Sequence, residues 1–286
     1  MPSFDNDGRI LLAEKHRVAL SPDGHGGSLL ALAETGMLDD MADRGIEHIS
    51  YFQVDNPLVY CIDPGFIGLH AASKSEMSSK CVTKADDFER VGNFAVVDGK
   101  TCVIEYSDLP EELAKAKNAD GSRKFDAGSI AIHVISCAFI ERLTVDRSRF
   151  GLPWHRANKK VAHVDPASGE VVEPAEPNAV KLEAFIFDAL PLAQNPVVLE
   201  IDRTEEFSPV KNATGVDSVE TSRRDMSHRA ARWLEAAGAK IPRNSDGSPK
   251  HTCEVSPLAA LEPDDLKPRA PVAVEPDNDN CIYLEK

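Results

Sequence analysis

The stretch Ile46-Glu-His-Ile-Ser-Tyr-Phe-Gln-Val-Asp-Asn-Pro57 carries an apolar and aromatic run that stops abruptly at Asp55-Asn56-Pro57. A run of this kind bounded by turn residues is the pattern of a buried strand, Ile46 to Val54, that delivers its last residues to a loop. Pro57 suits the first turn of a following helix. In open α/β sheets ligands gather beyond the carboxyl ends of strands, where a carboxylate can hold Mg²⁺ against a phosphate. Asp55 fits that role, and it equally fits the N-cap of a helix starting at Pro57.

Upstream lies Ser21-Pro-Asp-Gly-His-Gly-Gly27, followed by a helical pattern with Ser28 as its N-cap and a limit near Ala33. Gly36 separates this from a second helix, Met37 to Ala42, closed by Gly45. Glycine backbone, the His25 imidazole and a helix N-terminus can together hold an anion; a turn with a surface histidine reads the same residues equally well. A short apolar run at Arg9 to Leu12 places a strand close to Met1.

Downstream, Cys81 to Thr83 and Phe94 to Val97 read as strands, and Val97-Asp98-Gly99-Lys100 is a hairpin signal leading into Cys102 to Tyr106. Glu105 ends that hairpin strand as Asp55 ends the earlier one, either solvated or functional. Pro110 to Lys117 is a short helix. Phe125-Asp-Ala-Gly-Ser129 is a small-residue loop that permits close backbone approach or tight packing, and Ile130 to Leu143 is buried. Ala179 to Leu190 reads as a helix with a buried face, Val197 to Ile201 as a strand, and Glu220 to Ala237 as a helix stopped by Gly238. Lys211 sits in a proline-containing loop, where an ammonium can meet phosphate. Strands alternating with helices predict an α/β fold with hairpin strands at one edge. The expected organisation is a main domain over 1–212, a C-terminal region over 213–267 and a flexible tail over 268–286.

A net charge of -15 in 286 residues argues against a nucleic-acid partner, because such surfaces need clustered Lys and Arg. No apolar run approaches the roughly 18 residues a membrane span requires. Six cysteines without a Cys-x-x-Cys pair fit reduced thiols and a cytoplasmic location. No His-x-x-x-His, Gly-x-Ser-x-Gly or Cys/His signature supports a hydrolase.

In order, Ser-Pro-Asp-Gly-His-Gly-Gly at Ser21, Gln-Val-Asp-Asn-Pro at Gln53 and Asp-Pro-Gly-Phe-Ile-Gly at Asp63 are followed by Val-Ile-Glu-Tyr-Ser at Val103 and Phe-Asp-Ala-Gly-Ser-Ile at Phe125. Lys-Leu-Glu-Ala-Phe-Ile-Phe-Asp at Lys181, Glu-Phe-Ser-Pro-Val-Lys-Asn at Glu206 and Cys-Glu-Val-Ser-Pro-Leu at Cys253 complete the series. Together they resemble the eukaryotic-type UDP-N-acetylhexosamine pyrophosphorylases of the UDP-sugar pyrophosphorylase family. The resemblance implies a Rossmann-like, GT-A-like nucleotidyltransferase with a mixed sheet, of which this chain is the later part, plus a small C-terminal α+β region. It implies uridylyl transfer from UTP to a sugar 1-phosphate, N-acetylglucosamine 1-phosphate by the nearest pattern, with Mg²⁺ as cofactor.

By the same resemblance Gly24, His25 and Gly26 contact uridine or sugar. Asp55 holds Mg²⁺ and the phosphates, with Asn56 beside it on the substrate. Glu105 accepts from sugar hydroxyls, Gly128 and Ser129 meet the acyl-amino side, Phe185 and Phe187 line the sugar pocket, and Lys181 and Lys211 neutralise phosphate. The family's Leu-x-x-Gly-x-Gly-Thr loop is missing from this chain, so the triphosphate cradle is expected from an N-terminal segment outside it, upstream or on a second chain. His25 and Ser129 stand where the N-acetylglucosamine enzymes carry Asn, which leaves a hexose 1-phosphate uridylyltransferase as one alternative. A non-catalytic UDP-sugar-binding remnant and a Mg²⁺-dependent phosphatase using Asp55 are others.

Overall fold

The computed structural model describes residues 1–146, 151–269, 274–278 and 280–285. Its centre is a six-stranded mixed sheet in the order Val197–Glu200, Met77–Thr83, Ala127–Ser136, Gly92–Val97, Lys100–Ile104, with His48–Tyr51 also on Ala127–Ser136. Only Val197–Glu200 runs parallel to its neighbour; the other pairs are antiparallel. The mixed α/β sheet and its hairpin edge are therefore as expected. Asp98 and Gly99 take φ of 51° and 75°, the left-handed pair that a tight two-residue hairpin needs.

Even-numbered Ile130, Ile132 and Val134 face one apolar cluster with Phe66, Val82 and Phe207. Ile135 and Met77 face another, beneath the helices Gly27–Glu34, Met37–Asp43 and Cys137–Thr144. The period of two along the longest strand thus divides the interior between the two faces of the sheet. A third cluster joins Trp233 and Leu234 of the helix Val219–Ala236 to Ile282.

Several elements differ from the sequence reading. The strand expected over Ile46 to Val54 stops at Tyr51, and Val54 is 98% exposed. No helix begins at Pro57; it begins at Pro64, where Asp63 caps it by accepting from the Phe66 N–H at 3.0 Å. Asn56 before Pro57 is by type as good a cap as Asp63 before Pro64, but its amide is taken up by Glu206 and Ser208 across the fold. Ser28 lies inside its helix, and the cap is Gly26, with no side-chain hydrogen bond. Ala179 to Leu190 is not one helix. It is a strand, Ala179–Glu183, followed by a 3-10 turn over Ile186–Leu192. The strand pairs on both sides, with Phe4–Asp5 and His155–Lys159, and this pairing overrides a mixed local pattern. The tail expected over 268–286 contains the strand Cys281–Leu284, parallel to Thr252–Val255, with Ile282 only 1% exposed. Residues 270–273, 279 and 286 of that tail lie outside the described residues. No described helix is long and apolar enough to cross a membrane.

Candidate functional site

Lys80 on one strand faces three residues of its antiparallel neighbour: the register passes from Ser79↔His133 to Cys81↔Ser129. The strand absorbs the excess as a bulge, and Ala131 within it takes φ 55°. A side chain in that conformation costs roughly 1–2 kcal/mol, and such bulges re-aim residues beside functional sites. Here the bulge turns Ser129, Ile130 and Ala131 toward a cavity of about 170 Å³.

Of the residues singled out from sequence, His25, Asp55, Glu105, Ser129, Phe187 and Lys211 line this cavity together. Asp55 follows the strand His48–Tyr51, and Glu105 follows Lys100–Ile104, so both stand at strand ends. The loop carrying Lys211 is tied to Asp55 by the Val210 N–H donating to the Asp55 carbonyl at 2.8 Å. Asn56 strengthens that tie. Its Nδ2 donates to the Glu206 carbonyl at 2.7 Å, and its Oδ1 accepts from the N–H groups of Leu58 and Ser208 at 3.3 and 3.1 Å. At 3% exposure Asn56 is a clamp between two loops, not a substrate contact, and the expectation for it is corrected.

His25 is held from behind. Its Nδ1 accepts from the Ile186 N–H at 3.0 Å, which leaves Nε2 to carry the proton of the neutral ring. Burial holds its pKa below the ordinary histidine value, so the neutral form persists. The imidazole stacks on Phe185 at 5.2 Å and meets Phe187 at 5.9 Å, and His155 lies on Phe185 at 4.5 Å. Phe185 thus contacts both imidazoles and supports His25 from outside the cavity lining, which Phe187 joins.

The glycines act differently from expectation. Gly24, Gly26 and Gly128 are not among the lining residues. A Cβ on Gly24, whose φ is +83°, would lie 2.3 Å from the Ala184 carbonyl oxygen, and one on Gly128 would lie 2.8 Å from Val91. They permit close packing, and Gly24 and Gly26 let the loop dock on Ala184 through two hydrogen bonds, Gly26 N–H to Ala184 O and Ala184 N–H to Asp23 O. Lys181 is also corrected. It pairs with Ala157 in the separate three-stranded sheet and does not line the cavity.

Glu105 has its carboxyl pKa raised, first by burial and then by Asp108, with His155 and Lys211 opposing. Among the described residues neither its carboxylate nor that of Asp55 has a hydrogen-bond or ion-pair partner, which leaves two acceptors open to a ligand. The Lys211 ammonium lies 5.9 Å from the centroid of the Phe207 ring. The cavity therefore offers an imidazole N–H, a serine hydroxyl, two carboxylates, an ammonium and an aromatic wall. Sequence reasoning missed Gln53, Arg90, Gly92, Tyr106, Ala131 and Phe207. Gly92 had a signal, an isolated glycine within a strand pattern; a Cβ there would lie 2.5 Å from Val103 and 3.9 Å from Glu105.

The mixed sheet with a polar cavity at its strand ends is the architecture of solved nucleotidyltransferase structures. A crystal structure from Entamoeba histolytica, described as a UDP-N-acetylglucosamine pyrophosphorylase, superposes with a TM-score of 0.85 at 33% identity, covering 100% of this chain and 68% of that one. The chain belongs to the UTP–glucose-1-phosphate uridylyltransferase family, whose profile matches residues 1–236. It is 40% identical over 247 residues to the UDP-N-acetylglucosamine pyrophosphorylase of Saccharomyces cerevisiae, covering 84% of this chain and 51% of the yeast protein. It is 37% identical over 281 residues to the human UDP-N-acetylhexosamine pyrophosphorylase-like protein 1, covering 93% and 55% respectively. The chain thus spans about half the length of the curated relatives it matches.

Proposed function

We propose that this chain supplies the sugar-binding side of a uridylyltransferase that joins UTP and N-acetylglucosamine 1-phosphate into UDP-N-acetylglucosamine, with release of pyrophosphate. The observation that carries this reading is the convergence of His25, Asp55, Glu105, Ser129, Phe187 and Lys211 on one cavity. Transfer of this type needs positioning and charge neutralisation more than covalent help from the protein. His25 Nε2–H and Ser129 donate to the sugar or its acyl-amino group, Glu105 accepts from ring hydroxyls, and Phe187 packs on the sugar face. Lys211 neutralises phosphate charge.

The open Asp55 carboxylate at a strand end fits Mg²⁺, which takes one or two protein carboxylates and completes its shell with phosphate oxygens and water. Bound there, Mg²⁺ would neutralise charge on the phosphates. Residues cradling the rest of the triphosphate would come from the half of the relatives' length that this chain does not span, whether in the same polypeptide or on another. Six free cysteines are in keeping with a reducing cytoplasm.

Pyrophosphate release from UTP and N-acetylglucosamine 1-phosphate tests the reading, with calorimetry of UDP-N-acetylglucosamine alongside. Asp55→Asn and Lys211→Met should each reduce turnover by about 10²–10³-fold. Turnover untouched by both variants would overturn the assignment. With the complementary segment supplied, binding without turnover would assign the chain to a sugar-nucleotide-binding role, and faster turnover of glucose 1-phosphate would move the substrate to plain hexoses, as His25 and Ser129 allow.

A further inference from the structure

A second cavity of about 230 Å³ shares Arg90 and Tyr106 with the first. Its deepest cation is Lys84, only 3% exposed. The ammonium donates to two neutral oxygens, Asn93 Oδ1 at 2.8 Å and the Asp87 carbonyl at 3.3 Å. It has three protons to donate and no ion-pair partner among the described residues. A buried ammonium hydrogen-bonded only to neutral acceptors is costly, and burial lowers its pKa, with the more distant carboxylates of Glu89, Asp87 and Asp126 opposing. Arg90, exposed at the boundary of the two cavities, makes no hydrogen bond or ion pair among the described residues.

The carboxylates that line this second cavity are already neutralised. Asp87 receives Lys117 at 2.7 Å and Arg123 at 2.8 Å. Glu89 receives Arg203 at 2.8 Å, and Glu111 pairs with Lys115. Each of these four cations lies outside the lining. Lys84 and Arg90 therefore remain the two cations of this lining without an ion-pair partner among the described residues, in a space that borders the first cavity at Arg90 and Tyr106.

We propose that this second cavity is a subsite for a negatively charged substituent on the sugar, so that the chain prefers an acidic N-acetylhexosamine over the neutral one. The substituent passes Tyr106, meets Arg90 at the boundary and completes the partners of Lys84. This rests on the sugar-nucleotide reading above and names its substrate class more closely.

The test is calorimetric, on the protein as it exists, with three probes: UDP-N-acetylglucosamine, its C6 uronate, and its derivative with a lactyl ether on C3. At least one acidic probe should bind roughly tenfold or more tightly than the neutral one, with a ratio that shrinks as ionic strength rises. Arg90→Ala and Lys84→Met should each bring that ratio toward one. If Lys84 only supports the neighbouring strand at Gly128, Lys84→Met weakens all three probes equally and the ratio stands, which overturns the proposal. A ratio of one or less for both acidic probes in the wild type also overturns it. Failure of all three probes to bind would instead overturn the sugar-nucleotide reading on which it depends.

Discussion

His25 occupies the junction of three interactions, and each can be separated by substitution. The imidazole accepts from Ile186 N–H, stacks on Phe185 and presents Nε2–H on the cavity side. His25→Ala leaves a partly buried N–H without its acceptor, which should lower stability by about 1–3 kcal/mol in chemical denaturation. It should also weaken UDP-N-acetylglucosamine binding. Glu105 supplies a pH dependence. Its pKa is raised by burial, so its carboxylate takes up a proton at higher pH than an ordinary glutamate. If sugar hydroxyls donate to the ionised form, affinity is greatest above that raised pKa and falls as pH drops through it. Glu105→Gln should flatten the profile in calorimetry over that range.

The elements converge because loops are stitched to strands at particular backbone points. The loop 21–27 docks on Ala184, and the loop after Tyr51 is clamped to 206–208 by Asn56. Gly24→Ala would drive a Cβ into the Ala184 carbonyl at a left-handed φ. It should cost more than about 2 kcal/mol and detach His25 from its support, read as a lower Tm together with weaker binding. Ala131→Gly makes the opposite prediction. Relief of the left-handed strain in the bulge should raise stability by about 1 kcal/mol, measured by denaturant midpoint. The hairpin at Asp98-Gly99 and the helix Val219–Ala236 could be read directly, because turn chemistry, a helical apolar period and the Gly238 stop are local signals. The strand at Ala179–Glu183 could not, because its pairing partners lie at Phe4–Asp5 and His155–Lys159.

Across the whole molecule, buried neutral histidines set the acid limit. His70 sits between the hydroxyls of Ser78 and Ser136, with its pKa lowered to about 4 by burial and His48. His133 is held by Ser79, with its pKa lowered to about 3 by burial and His25. Both protonate more readily when unfolded, so their contribution is fully present above about 6.5 and is lost as pH falls from there toward 4 and 3. Acid unfolding should steepen over that window, and His70→Gln should reduce the slope of stability against pH.

The sequence by itself determined the family, the mixed α/β class, the hairpin edge and six of the cavity's residues, because those rest on local turn chemistry, periodicity and ordered motifs. Only the tertiary structure decided which of the selected residues face one another. Lys181, Asn56, Phe185 and the glycines Gly24, Gly26 and Gly128 serve pairing, clamping and packing, whereas Gln53, Arg90, Gly92, Tyr106 and Phe207 line the site. The physical reason is that a side chain's role depends on what lies opposite it. At Lys80 three residues of the facing strand bulge against one, and no local pattern in the chain records that register.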